Sequence, residues 1–152
     1  MSLNSISVRP MAEGDLDAVA MLDHRLAGQS RHGFYVKRLA AASLAPNAFL
    51  GLVAEMDGRL VGFVSAHVLD GEFGGTDPAA VLDAIGIAPD LRGRGVARAL
   101  MAAFEAEARR RGIRQIQSEV DWTDHGLVRF FADAGFGLAP QVVLECATAT
   151  EL

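Results

Sequence analysis

Asp90-Leu91-Arg92-Gly93-Arg94-Gly95-Val96-Ala97-Arg98-Ala99-Leu100, DLRGRGVARAL, opens a long amphipathic helix with three arginines around its start. The N-terminal end of a helix carries roughly half a positive charge, so a cation there costs about 0.3–1 kcal/mol where a carboxylate would stabilise. The glycines add to the cost, since each weakens a regular element by roughly 0.5–1 kcal/mol relative to alanine. At the far end of the same helix, Arg109, Arg110 and Arg111 have an ordinary role: cations in a last turn complement the dipole, and Gly112 serves as a stop. Only the first cluster needs a special account. Unpaired amides and the dipole make a helix start an anion site, and small residues let a diphosphate approach the backbone. Arg94 and Arg98 are placed to neutralise such an anion, while Arg92 either joins them or pairs with an acid such as Asp90. The competing reading is a plain turn with solvated arginines.

Spacing narrows the ligand. The dinucleotide fingerprint G-x-G-x-x-G fails, because Arg98 stands where the third glycine belongs and no first-strand βαβ context precedes it. A Walker-type loop fails too, since no Gly-Lys-Ser/Thr follows.

Working outward, residues 81–87 read as a strand closed by Pro89, and 95–111 as the helix, with Val96, Leu100, Ala103 and Phe104 on one face. Upstream, residues 6–9 form a short strand, and 15–27 and 34–44 form helices. The runs 50–56 and 60–69 flank Asp57-Gly58, a strong hairpin signal, and a glycine-rich loop covers 71–78. Downstream, a strand over 113–120, a helix over 125–134 capped by Gly135, and a final strand over 141–146 complete a mixed α/β sheet.

Composition bounds the rest. The chain has 152 residues, 51% hydrophobic and 22% charged, which fits a single globular domain over 1–152. Lys and Arg total 14 against 19 Asp and Glu, a net charge of −5. General nucleic-acid binding is therefore disfavoured, because phosphate neutralisation needs a basic face. The single Cys146 excludes an internal disulfide, and His24, His32, His67 and His125 lack metal-ligand spacing, so no metal is expected. No apolar run approaches the roughly 18 residues that span a bilayer, and the first ten residues have no signal pattern. The sequence reads as a soluble, cytoplasmic chain with no membrane partner.

The loop Arg92-Gly93-Arg94-Gly95-Val96-Ala97 resembles the acyl-CoA loop of the GNAT superfamily of N-acetyltransferases, Arg/Gln-x-x-Gly-x-Gly/Ala. Ile85-Gly86-Ile87-Ala88-Pro89-Asp90 is similar to the strand and Pro-acid turn that lead into it. Phe130-Phe131-Ala132-Asp133-Ala134-Gly135-Phe136 resembles the later Phe-Tyr-x-x-x-Gly-Phe element, and Asp57-Gly58-Arg59-Leu60-Val61-Gly62-Phe63 the hairpin before the cofactor strand. The order of elements agrees over about residues 5–146. The resemblance implies a mainly antiparallel sheet flanked by helices and splayed at the acyl-CoA strand. It implies acetyl-CoA as co-substrate, with its diphosphate on Arg92, Gly93, Arg94, Gly95, Val96, Ala97 and Arg98. The pantetheine would lie along the backbone of Ile85 and Ile87, with Phe131 beside the thioester.

Amine acetylation needs a neutral nitrogen, hence a base acting directly or through water, and the departing thiolate is helped by an acid. Glu119 and Asp83, on adjacent strands, head the candidates for the base, ahead of Glu72 and Asp121 on loops; each is also readable as a solvated or paired strand-end carboxylate. Relatives often have Asn where Asp124 stands, and Asp124 reads as a helix cap. They often have a tyrosine acid where Phe131 stands, and phenylalanine has no proton to give. Tyr35, the only tyrosine, and Trp122 are candidate acceptor contacts, each with a packing role as the alternative. The expected function is acetyl transfer to a small amine or peptide amine, against a non-catalytic acyl-CoA-binding module or a nucleotide-binding regulator. A homodimer is expected through 141–146 and the strand over 60–69.

Overall fold

Asp57 and Gly58 both adopt positive φ, 53° and 75°, as a two-residue type I′ turn requires. They join β2 (Phe49–Met56) to β3 (Arg59–Asp70). The computed structural model describes residues 5–28, 31–70 and 77–149. By its internal contacts the chain divides into two compact units, Met1–Glu119 and Val120–Leu152.

In the first unit, β1 (Ile6–Pro10), β2, β3, β4 (Pro78–Ile87) and β5 (Gln115–Ser118) form one sheet in chain order. The first three pairings are antiparallel and β4–β5 is parallel, which is the mixed, mainly antiparallel sheet expected. Parallel neighbours need a crossover connection, and α3 (Val96–Arg110) supplies it. Two further helices, α1 (Leu16–Ala27) and α2 (His32–Leu44), precede the hairpin.

The alternation of β3 sorts the layers, because successive side chains point to opposite faces. Phe63 meets Tyr35 of α2 edge-on at 5.9 Å. A Cβ at Gly86 of β4 would come within 2.6 Å of the Phe63 ring and 2.9 Å of Leu26 in α1. Gly86 is thus what lets Phe63 and α1 sit against β4. Gly62 faces the other way, where a Cβ would lie 3.0 Å from both Val96 and Leu100 of α3. Helices α1 and α2 therefore cover one face and α3 the other. The apolar stripe of α3, Val96, Leu100, Met101, Phe104 and Ala108, is buried, and each large side chain contributes roughly 1.5–3 kcal/mol. The helix stops as expected at Gly112, φ 77°. Ile113 N–H donates to Ala108 O at 2.9 Å and Gly112 N–H to Arg109 O at 3.0 Å, the paired bonds of a Schellman end.

In the second unit, Asp124 Oδ1 accepts from Leu127 N–H at 3.1 Å and caps α4 (His125–Asp133). Phe131 stacks against Phe130 and Phe136, with ring centroids 5.3 and 4.9 Å away.

Three expectations are corrected. Residues 141–149 carry no regular secondary structure, and Val142 and Leu144 are 81% and 88% exposed. Apolar alternation alone does not make a strand, since strands are stabilised by cross-strand partners and none pairs here among the described residues. The run over 60–69 is no edge either, because β3 lies between β2 and β4. Both surfaces expected to pair two copies are therefore absent as edges. Finally, β5 covers four residues rather than 113–120, its apolar start Ile113 being used in the helix stop, while β4 begins early, at Pro78.

Candidate functional site

The sequence from Pro89 to Arg98 folds around two backbone reversals. Pro89–Leu91 form a 3-10 turn, then Gly93 and Gly95 take φ of 78° and 87°, the left-handed region that a side chain disfavours. A Cβ at either would meet nothing within 4 Å, so conformation and not crowding calls for glycine. Gly95 caps α3 without a side-chain hydrogen bond, and the first turn holds no acidic residue. The first helical bond recorded at this end is Ala99 N–H to Gly95 O at 3.0 Å. The amides of Val96, Ala97 and Arg98 precede it and are the orphan donors of a helix start. Val96 is buried by its side chain and so offers only its amide.

Arg92 does not pair with Asp90. That carboxylate accepts from Arg59 instead, at 3.0 and 3.2 Å, and the Arg59 guanidinium lowers its pKa. Among the described residues Arg92, Arg94 and Arg98 form no ion pair. Backbone donors, the dipole and three exposed arginines without an ion pair among the described residues occur at one helix end, an arrangement that can hold a diphosphate.

The adjoining strand is open on one side. β4 pairs with β5 only from Ala79↔Gln115 to Leu82↔Ser118, while its β3 ladder continues to Gly62↔Ile87. From Asp83 to Ile87, including Ile85, β4 has a strand on one side only among the described residues, which is the splay expected there. At the point of divergence β4 carries a bulge: Ser65 faces Ala84 and Ala66 faces Leu82, leaving Asp83 as the extra residue. A bulge re-aims a side chain. Asp83 Oδ1 lies 2.8 Å from His67 Nδ1 and accepts from Arg38 Nη2 at 3.5 Å. Asp83 Oδ2 is buried with no hydrogen-bond partner among the described residues, a costly state for a carboxylate oxygen. Glu119 follows the last paired residue of β5 and is exposed.

Residues 16–136 match the acetyltransferase (GNAT) family. The chain belongs to that family. A mycothiol acetyltransferase of Thermobispora bispora is 32% identical over 121 residues, which cover 80% of this chain and 40% of that protein. The chain thus spans about two fifths of the length of this relative. Among solved structures, the aminoglycoside N-acetyltransferase AAC(6')-Iy in complex with CoA superposes with a TM-score of 0.81 at 21% identity, covering 97% of this chain and 98% of that one. A ribosomal-protein-alanine N-acetyltransferase from Brucella melitensis biovar Abortus 2308 superposes at 0.74 with 21% identity, covering 95% and 100%. These likenesses establish the fold.

The remaining residues of this GNAT chain are distributed as follows. Tyr35 is 1% exposed, its ring edge-on to Phe34 at 5.1 Å as well as to Phe63, so it takes the packing role and does not present a surface to an acceptor. Burial, with the Asp23 carboxylate, pushes its phenol well above the ordinary range. Trp122 is 83% exposed, which overturns its alternative role in closing the core. Asp121 is occupied as a turn residue, accepting from Thr123 N–H and Oγ1–H at 2.9 and 2.6 Å. Phe131 belongs to the second unit, and Glu72 lies outside the described residues. Sequence reasoning missed His67 and Arg38, which lie 16 and 45 residues from Asp83; no local signal marks either. Among the described residues no cluster of ligands suits a metal and no helix is long and apolar enough to cross a membrane.

Proposed function

We propose that this chain transfers the acetyl group of acetyl-CoA to a primary amine of a small molecule or peptide. The observation that carries the reading is the start of α3: left-handed Gly93 and Gly95, orphan amides at 96–98, and, among the described residues, three arginines without ion pairs beside a strand with one open side. The amides and Arg92, Arg94 and Arg98 hold the diphosphate, and the backbone of Ile85 and Ile87 takes the pantetheine as a further strand. In the reaction the amine nitrogen forms a bond to the thioester carbonyl carbon, the C–S bond breaks, and the sulfur leaves as thiolate and takes a proton.

Asp83 is the leading group for drawing the proton from the amine, directly or through water, because it is bulged out of the β4 ladder where the β5 pairing ends; Glu119, at the open end of β5, is second. Phe131 has no proton to give, so no tyrosine-like acid is expected at that position. A thiol titrates near 8.5, so its thiolate leaves without full protonation. Cationic acceptors suit the net charge of −5, and amine acceptors agree with the similar aminoglycoside and ribosomal-protein-alanine N-acetyltransferases.

The test is CoA release from acetyl-CoA across a panel of amines and peptides. Turnover is expected with at least one acceptor, and Asp83→Asn or Glu119→Gln lowers it roughly 10²-fold while CoA affinity holds. CoA binding without turnover on any amine would support the binding-module reading that Phe131 invites. Better binding of ATP or NAD than of CoA would overturn both.

A further inference from the structure

His67 stands on β3 in register with Phe49 of β2 and Val81 of β4, one strand away from the bulge. The bulge turns Asp83 toward it, and the two side chains meet at 2.8 Å through His67 Nδ1 and Asp83 Oδ1. A carboxylate can only accept, so this contact places the hydrogen on Nδ1 and leaves Nε2 as the basic nitrogen. The other carboxylate oxygen, Oδ2, is buried and has no partner among the described residues. One carboxyl group is therefore engaged with an imidazole on one side and lacks a donor on the other. The charged group reaching this pair from the helix layer is Arg38 of α2, whose Nη2 is 3.5 Å from Oδ1; from β2 the neighbour is the apolar Phe49.

An ordinary carboxylate titrates near 3.9 and an alkylammonium near 10.4, a gap of about six decades that makes a lone carboxylate a poor acceptor for an ammonium proton. An imidazole, near 6.5, narrows the gap by more than two decades, and a base works best when its titration lies near the working pH. We propose that Asp83 and His67 form one proton-accepting unit, in which Asp83 Oδ1 orients the imidazole through Nδ1 and His67 Nε2, on the far side of the ring, takes the proton of the acceptor ammonium. The ammonium loses one proton to Nε2 and becomes the free amine that attacks the thioester. The imidazolium then returns its proton to water, to which the half-buried His67 side chain is open at 26% against 11% for Asp83. This inference rests on the acetyltransferase reading and on Asp83 in the proton path.

The test compares the natural protein with Asp83→Asn and His67→Asn. Asparagine keeps an N–H for Asp83 Oδ1 but has no nitrogen to accept a proton. On the best amine of the panel, kcat/KM is expected to fall at least 10²-fold in both variants with CoA affinity unchanged. The natural protein should show an acid limb in its pH–rate profile that His67→Asn lacks. Nitrogen chemical shifts of the free protein with its imidazole neutral should show the Nδ1–H tautomer at His67 and lose that preference in Asp83→Asn. If His67→Asn keeps near-full activity while Asp83→Asn is inactive, Asp83 works without His67 and this proposal falls alone. If both variants stay active, the assignment of Asp83 falls with it. A His67 tautomer that is unaffected by Asp83→Asn overturns the pairing irrespective of turnover.

Discussion

The two ends of α3 carry the same type of side chain and use it in opposite ways. At the C-terminal end, Arg110 and Arg111 pair with Glu107, and Arg111 Nη1 donates to Phe49 O at 2.8 Å. Charge there agrees with the dipole and ties the helix to β2. At the N-terminal end, Arg92, Arg94 and Arg98 oppose the dipole and form no ion pair among the described residues, and the one nearby acid in the turn, Asp90, is taken by Arg59. The first arrangement stabilises the chain; the second leaves positive potential available to something outside it. Charge placed against a helix dipole, with the nearby acid paired elsewhere, is what a binding end requires, and it says more than a count of arginines does.

The largest effect should come from reversing the N-terminal potential at its cap. Gly95→Glu sets a carboxylate against the diphosphate, and calorimetry should show CoA affinity falling at least tenfold, about 1.4 kcal/mol. Gly95→Ala carries the strain of φ 87° without the charge and should lose less. Equal affinity of Gly95→Glu and the natural protein, both folded, would break the contrast between the two ends.

A smaller and two-signed effect is expected for Arg98→Glu. Glutamate in the first turn agrees with the dipole, so the CoA-free protein should gain about 0.3–1 kcal/mol, or roughly 1–3 °C in Tm for a chain of this size, while CoA affinity drops. A variant less stable than the natural protein would mean that Arg98 supports the fold and that the two ends are less different than their pairing indicates.

The smallest effect belongs to the C-terminal end. Arg110, then Arg111, hold the Glu107 carboxyl at about 2, below its ordinary 4.5. A depressed folded-state pKa contributes stability that is present above about pH 4.5 and lost as pH falls toward 2. Glu107→Gln should therefore cost a few tenths of a kcal/mol at neutral pH, as surface pairs do, and nothing at pH 2, measured by urea unfolding. CoA affinity should not change at either pH.

The same contrast of local and distant causes explains which features were legible in the chain. Asp57-Gly58, Gly93, Gly95 and Gly112 announced their turns because positive φ is a property of one residue. The stripe from Val96 to Ala108 announced α3 because a helix repeats within four residues. The partners of Asp83 were silent, since His67 and Arg38 reach it only when β3, β4 and α2 are packed together. Asp90 misled in the same way: Arg92 is its neighbour in sequence, but the hairpin brings Arg59 to it from 31 residues away. The run over 141–146 has strand-like alternation, yet a strand exists through a partner that no single segment specifies.

By itself, then, the sequence determined the glycine turns, the helices and the order of elements as far as α4, all of which rest on dihedral preferences and on periodicities a few residues long. Tertiary structure alone decided where β4 parts from β5, that Asp83 is the bulged residue, that its Oδ2 is left without a donor among the described residues, and that Tyr35 packs inside while Trp122 lies outside. Those outcomes depend on strand register and on side chains brought together from distant positions, and register is settled by the packing of whole faces against one another.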